Sequence, residues 1–114
     1  MEASKINDFE RGVLVPLVCD LLTKANGRPL PSKVITQAIR KLGHVCNSRS
    51  VRRVINHIRC EGLVPCVASS TKGFYVANSV NEITECIYTL ESLAGSIQEV
   101  IEALKQQRFI KYNT

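Results

Sequence analysis

The chain has 114 residues, of which 45% are hydrophobic and 22% charged, and its formal net charge is +5. This is the ordinary composition of a single globular domain that folds without disulfides or metals to hold it together. The longest apolar run, residues 13–18, contains Pro16 and is too short to cross a bilayer. The N-terminus lacks the basic-then-apolar order of a signal peptide, so we expect a cytoplasmic protein without a membrane segment.

Charge is unevenly distributed along the sequence. Residues 21–60 contain nine bases and no acid, whereas residues 73–104 contain five glutamates and no base. A basic segment beside an acidic one favours one surface for a polyanion such as nucleic acid and another for a different purpose. A charge-biased surface that binds no ligand is consistent with the same counts.

The first predicted helix begins at Asp8 or Val13 and ends at Ala25. Pro16 suits a first helical turn, where its missing N–H is harmless, and Gly27 can cap the C-terminus. The apolar residues recur at helical spacing and should face the core: Leu14, Leu17, Val18, Leu21 and Leu22.

Two further helices follow an extended stretch over residues 28–31. We expect Ser32 to cap the second helix, whose buried stripe is Ile35, Ala38, Ile39 and Leu42. A turn over residues 43–47 follows, and Val45 should fill the angle between the second and third helices. The third helix is predicted over residues 48–61, with Ser48 as its cap and Gly62 as its stop.

A hairpin and a long helix complete the predicted order. The β-branched and aromatic segments 63–68 and 73–77 read as two strands joined by residues 69–72, with Pro65 at an edge or a kink. Ser79 and Glu82 then form a capping box. The last helix carries a heptad seam of apolar residues, widened by a third apolar column.

The third helix has a polar face opposite its apolar one, and this face is the candidate site. Helix, turn, helix and hairpin follow in the order of a winged helix-turn-helix, in which the third helix enters the major groove of double-stranded DNA. Arginine can read guanine and asparagine can read adenine, while other bases hold phosphates. The predicted DNA-binding residues are Arg49, Ser50, Arg52, Arg53, Asn56, His57, Arg59 and Lys72. A merely solvated polar face remains the simpler interpretation of the helix taken alone.

Residues 32–104 resemble the winged-helix proteins of bacteriophages and bacterial mobile elements. The similar features are the arginines and isoleucines of "VRRVINHIR", the following "GLVP", the "KGFY" of the second strand and the long final helix. The resemblance implies a mainly α fold with a small β-hairpin (α+β). It also implies a role in replication or transcriptional control of such an element. The main alternative is a winged helix that binds protein partners and not DNA.

Neither catalysis nor a cofactor is expected. The basic stretch has no carboxylate for acid–base work, and no phosphate-binding loop is present. His57 and Cys60 lie three residues apart on a helix, but this spacing fits no zinc module, so no metal site is predicted. The scattered cysteines are expected to be small buried residues, except Cys60, which falls on the polar side.

The predicted domains are a winged helix-turn-helix over residues 1–78, a C-terminal dimerisation helix over residues 79–109 packed on the same domain, and a frayed tail over residues 110–114. The heptad seam is longer than the first helix can cover, which favours a homodimer through the last helix, although packing within one chain is the alternative. The predicted dimerisation residues are Ile83, Ile87, Leu90, Ile97, Ile101 and Leu104.

Overall fold

A computed structural model describes residues 6–114, in which helices predominate and one two-stranded antiparallel sheet is present. The predicted α+β class is therefore confirmed. The elements are a π-helical turn over Glu10–Leu14, α1 (Val15–Lys24), α2 (Ser32–Lys41), α3 (Ser48–Glu61), β1 (Val67–Ser70), β2 (Gly73–Val76) and α4 (Val80–Tyr112). One compact unit extends to Ile83 and a second comprises Thr84–Thr114.

The core of the first unit lies where α1, α2 and α3 meet. Each helix contributes one apolar stripe, as the helical spacing predicts. Full burial of such a side chain stabilises the fold by about 1.5–3 kcal/mol. The largest fully buried side chains are Leu14, Val18, Leu22, Ile35, Ile39, Val51, Val54, Ile55 and Ile58.

The first helical segment begins with a wide turn. The N–H of Val15 bonds to the carbonyl of Glu10, five residues back, and Pro16 follows in the first turn of α1. Because Pro16 has no N–H, the usual bond to the carbonyl four residues earlier cannot form at this point. The wide turn lets the helix start upstream of the proline and continue without a break into α1.

The corner between α2 and α3 differs from the prediction. Val45 is 87% exposed, and Cys46, which is 4% exposed, occupies the buried position at the corner. Gly43 adopts a φ of +90° directly after α2, and Leu42, predicted to be buried, is exposed as well. The predictions for Val45 and Leu42 are therefore wrong, because α2 ends at Lys41 and the helical spacing stops there.

The caps of α2 and α3 also differ by one residue. Pro31 precedes α2 without a side-chain cap, so Ser32 lies inside the helix. Asn47, and not Ser48, caps α3: its Oδ1 accepts hydrogen bonds from the Ser50 N–H at 2.8 Å and the Ser50 hydroxyl at 3.1 Å. The bounds of α3 nevertheless match the predicted helix over residues 48–61, and Gly62 ends it in the left-handed conformation.

The hairpin is anchored at one edge and its first strand differs from the prediction: Ser69 and Ser70, predicted in the loop, belong to β1, and residues 63–66 do not. β1 starts after Pro65, and β1 and β2 are joined by a two-residue turn, with Val67 paired to Val76. Leu30 exchanges two backbone hydrogen bonds with Phe74, at 2.8 and 2.9 Å, so the extended stretch before α2 adds a single bridge to the sheet. At Gly73, with φ +131°, a Cβ atom would come within 2.4 Å of the Leu30 carbonyl carbon, so only glycine fits at this point.

At the start of α4 one of the two hydrogen bonds of the predicted capping box forms, and the second goes to Asn78 and not to Ser79. The Glu82 N–H donates to the Ser79 hydroxyl at 3.2 Å, and a Glu82 carboxylate oxygen accepts from the Asn78 N–H at 2.6 Å. The helix continues to Tyr112, in place of the frayed tail expected from residue 110. Within residues 6–114, no helix combines the length and apolar character needed to span a membrane.

Candidate nucleic-acid interface

α3 is held firmly along its inner side. Val51, Val54, Ile55 and Ile58 have no exposed surface, and the helix is capped at both ends by Asn47 and Gly62. The residues between these buried positions point away from the core, because helical neighbours three and four apart share a face. α3 is therefore anchored along its buried side and at both ends, and it presents one polar side outward.

Three of the predicted residues are exposed on this outward side: Arg49, Arg52 and Asn56. Among residues 6–114, none of the three has a side-chain hydrogen bond or ion-pair partner. Their positions at steps of three, four and seven place them along one helical stripe. Two guanidinium groups and a carboxamide are thus available for an external ligand, and all three groups can make paired hydrogen bonds to base edges.

Arg53 is held by an ion pair that the sequence did not indicate. Its Nη2 lies 2.8 Å from Oε2 of Glu10, whose side chain is only 4% exposed, compared with 39% for the arginine. The other carboxylate oxygen accepts from the Asn7 N–H at 3.0 Å, and Asn7 Oδ1 accepts from the Glu10 N–H at 2.7 Å. Arg53 thus neutralises a buried carboxylate and joins α3 to the π-helical turn.

Arg59 connects α3 to the hairpin. Its Nε donates to the Val67 carbonyl at 2.8 Å, its Nη2 donates to the Ser69 hydroxyl at 3.2 Å, and its guanidinium lies 5.9 Å from the centre of the Phe74 ring. These contacts fix the position of β1 relative to the end of α3. Arg59 thus has a structural role within the domain, and its predicted DNA contact stays a prediction.

The remaining predicted residues are of two kinds. Ser50 is half-buried and its hydroxyl is bound to the Asn47 cap, and His57, two turns further along α3, is half-buried as well. Lys72 is exposed in the hairpin turn, where its backbone N–H donates to the Ser70 hydroxyl at 3.1 Å. The lysine side chain is thus presented at the tip of the hairpin, as the sequence predicts.

A polar groove next to α3 was not predicted. Arg52 lies in it together with the start of α2 and the hairpin turn, and its hydroxyl-bearing lining residues are Ser32, Ser69, Ser70 and Thr71. Hydroxyls and a guanidinium are groups that bind phosphate oxygens in protein–DNA complexes. The signal was present in the sequence as "SSTK", but only the fold shows that this segment lies against Arg52.

The thiols divide into buried and exposed groups. Cys46 and Cys86 are buried and Cys19 is half-buried, whereas Cys60 and Cys66 are exposed. Burial raises the pKa of the Cys19 and Cys46 thiols above the ordinary value, because the thiolate loses its hydration. The prediction of buried cysteines is thus wrong for Cys66, while exposure of Cys60 is confirmed.

Over the part of the chain that the structure describes, no three His, Cys, Asp or Glu side chains form a group that could hold a metal ion.

Comparison of the chain with protein-family models, with curated proteins and with solved structures found no match.

Proposed function

We propose that the domain predicted over residues 1–78 is a winged helix that binds double-stranded DNA, with α3 in the major groove and the hairpin as the wing. The observation that supports this best is the unpartnered stripe of Arg49, Arg52 and Asn56 on a helix whose other side is fully buried. A B-form major groove accommodates one α-helix. The acid-free stretch over residues 21–60 adds a positive field around that helix.

Different residues would do different work in the complex. Arg49 and Asn56 would contact base edges and so choose the sequence, because both are exposed and their side chains can make paired hydrogen bonds to bases. Arg52, next to the serines of the hairpin turn, and Lys72 at its tip would bind phosphates, which add affinity without choosing a sequence. Arg53 and Arg59 would keep α3 and the wing in place.

In this proposal the chain binds DNA and catalyses no reaction. Its setting, control of replication or transcription in a phage or mobile element, rests only on the resemblance of residues 32–104. A function belongs to the site more than to the fold, so the DNA-binding stripe is the part of the proposal that is tested first.

The first test is the salt dependence of binding to a random duplex, measured by fluorescence anisotropy. With about four phosphate contacts, affinity should fall roughly 100-fold between about 50 mM and about 200 mM salt. Lys72→Ala should reduce the slope of log affinity against log salt by about 0.9 for every sequence. Lys24→Ala, which removes an exposed lysine of α1 that pairs with Asp20, should leave the slope unchanged.

The second test concerns sequence choice. Duplexes selected from a random library should bind Asn56→Ala about 1–3 kcal/mol more weakly than the unmodified chain, with preference lost at one base position. Asn81→Ala is the matched control, because Asn81 is an exposed helical asparagine in α4. Absence of any duplex binding at about 50 mM salt would refute the proposal, since phosphate contacts are strongest there.

A protein-binding role is the second candidate, and one surface favours it. Phe9 and Val45 are exposed and line one shallow pocket with His44, whose ring lies 6.3 Å from the Phe9 ring. Exposed apolar side chains that lie together often mark a partner surface. Substitution of Phe9 and Val45 by serine should leave DNA affinity unchanged if α3 is the reader, and should abolish partner binding if this corner is the functional surface.

A further inference from the structure

α4 exposes an apolar face that is too large for a lone helix in water. Between Ile87 and Leu104, seven large apolar side chains are 39% to 59% exposed. Together they present on the order of 600 Å² of apolar surface, close to the roughly 800 Å² that each partner buries in a standard specific interface. Isolated proteins seldom leave a continuous apolar patch of this size uncovered.

We propose that this face pairs with α4 of a second copy of the chain, and that the two helices run antiparallel. In the seam, heptad positions a are Ile87, Ala94 and Ile101, and positions d are Leu90, Ile97 and Leu104. Heptad spacing of this kind over several turns is typical of paired helices. The orientation follows from three features of the same helix.

The first feature is the pair of columns that flank the seam. On the g side lie Leu93 and Val100, and on the e side lie Glu91, Gln98 and Lys105. In a parallel pair each g residue faces an e residue of the other helix, so Val100 would meet Lys105. Reversing one helix places g against g and e against e, so that Leu93 faces Val100 on one flank while the polar residues stay together on the other.

The second feature is Ala94, the only small residue in the seam. In a parallel pair it would face its own copy between layers of isoleucine and leucine, and the two methyl groups would leave a gap. In the antiparallel pair Ala94 faces Ile97 of the second copy, so a small side chain meets a large one. The neighbouring layers then join Leu90 to Ile101 and Ile87 to Leu104, all of them apolar.

The third feature is the charge along α4. Its first half carries Glu82, Glu85 and Glu91 and no base, whereas its second half carries three bases and two acids, Lys105, Arg108, Lys111, Glu99 and Glu102. An antiparallel pair sets the negative half of one helix beside the net positive half of the other, whereas a parallel pair sets Arg108 against its own copy. The register is limited as well: a shift of one heptad in one direction brings Glu91 against itself, and a shift in the other direction sets both Ile87 and Leu90 against bases, Lys111 and Arg108, and so removes them from the apolar seam.

Mixed variants of the full chain test both the pairing and its direction by sedimentation equilibrium, without DNA. The unmodified chain should have twice its mass of 12.7 kDa. Ile87→Lys alone and Leu104→Glu alone should each raise the dimer dissociation constant at least about tenfold, because a charge faces an apolar side chain. An equimolar mixture of these two variants should dimerise again, since residue 87 of one copy faces residue 104 of the other.

The control mixture combines Ile87→Lys with Ile87→Glu, which bear opposite charges at one position. It should remain monomeric in the antiparallel pair and should dimerise in a parallel one. Circular dichroism checks that each variant keeps its helices; both positions are about half exposed, so the first unit stays folded. The proposal is overturned if the unmodified chain is a monomer or a larger oligomer than a dimer, or if only the control mixture recovers dimerisation. None of these results bears on DNA binding.

Discussion

The ion pair between Glu10 and Arg53 leads to a prediction that separates a structural arginine from one that reads DNA. Arg53→Ala removes the only charged partner of a carboxylate that is 4% exposed, among the residues the structure describes. Removing one member of a fully buried pair costs about 3–5 kcal/mol, whereas an exposed pair is worth less than about 1 kcal/mol. The guanidinium is 39% exposed and the Asn7 N–H still donates to the carboxylate. We therefore expect the free energy of unfolding to fall by about 2 kcal/mol.

The assay is urea unfolding followed by circular dichroism, together with a thermal melt in which Tm should drop by about 10 °C for a unit of this size. Glu10→Gln in the Arg53→Ala background should recover most of the loss, because an uncharged amide in the same position no longer needs the arginine. A double-mutant cycle over the four chains gives the coupling directly. DNA affinity of Arg53→Ala, measured where the chain is fully folded, should stay within about threefold of the original.

Two results would show that this reasoning is wrong. Arg53→Ala with unchanged stability would mean that the carboxylate does not depend on the guanidinium. A large loss of base preference without a loss of stability would restore Arg53 to the reading residues and leave Glu10 as a residue that merely orients it.

Three further predictions concern the hairpin and the buried thiol. Gly73→Ala, whose Cβ would collide with Leu30, should lower the free energy of unfolding by at least about 3 kcal/mol in urea titrations. Gly43→Ala, at a residue with positive φ but open space around it, should lower the same free energy by only about 1 kcal/mol. Equal losses for the two variants would contradict the close approach of Gly73 to Leu30. Arg59→Ala should speed amide hydrogen exchange in β1 and β2 at least about tenfold and leave α3 protected; unchanged exchange would remove the structural role assigned to it. Because burial raises the pKa of the Cys46 thiol, the unfolded chain loses this proton first as pH rises, so the free energy of unfolding should fall above about pH 9. Cys46→Ala should lessen that fall, and an unaltered pH profile would exclude Cys46 as its source.

The elements that sequence reasoning located well are those whose signals are local. α3 has both a regular apolar stripe and a stop at Gly62, and its bounds match the prediction. The capping box of α4 is equally local, because Ser79 and Glu82 stand three residues apart. Exposure of Lys72 follows from its position in a tight turn.

The features that were missed depend on contacts between distant parts of the chain. Glu10 and Arg53 are joined only when the π-helical turn packs on α3, and no pattern near either residue shows this. Arg59 likewise looks like an outward base until β1 lies beside it. At the α2–α3 corner, Val45 and Cys46 are adjacent and similarly apolar, so a change of backbone direction at Gly43 decides which of them is buried.

The attachment of the hairpin has a consequence for the order in which the chain folds. A ribbon of two four-residue strands is at best marginally stable by itself, and this one is held by Leu30 at its edge and by Arg59 at its base. Leu30 and Phe74 are separated in sequence by the whole of α2, α3 and β1, so their pairing is a late, long-range event. During synthesis the three helices therefore emerge and pack before the hairpin can close, and a chain halted at Gly62 would carry α3 without the hairpin that Arg59 joins to it.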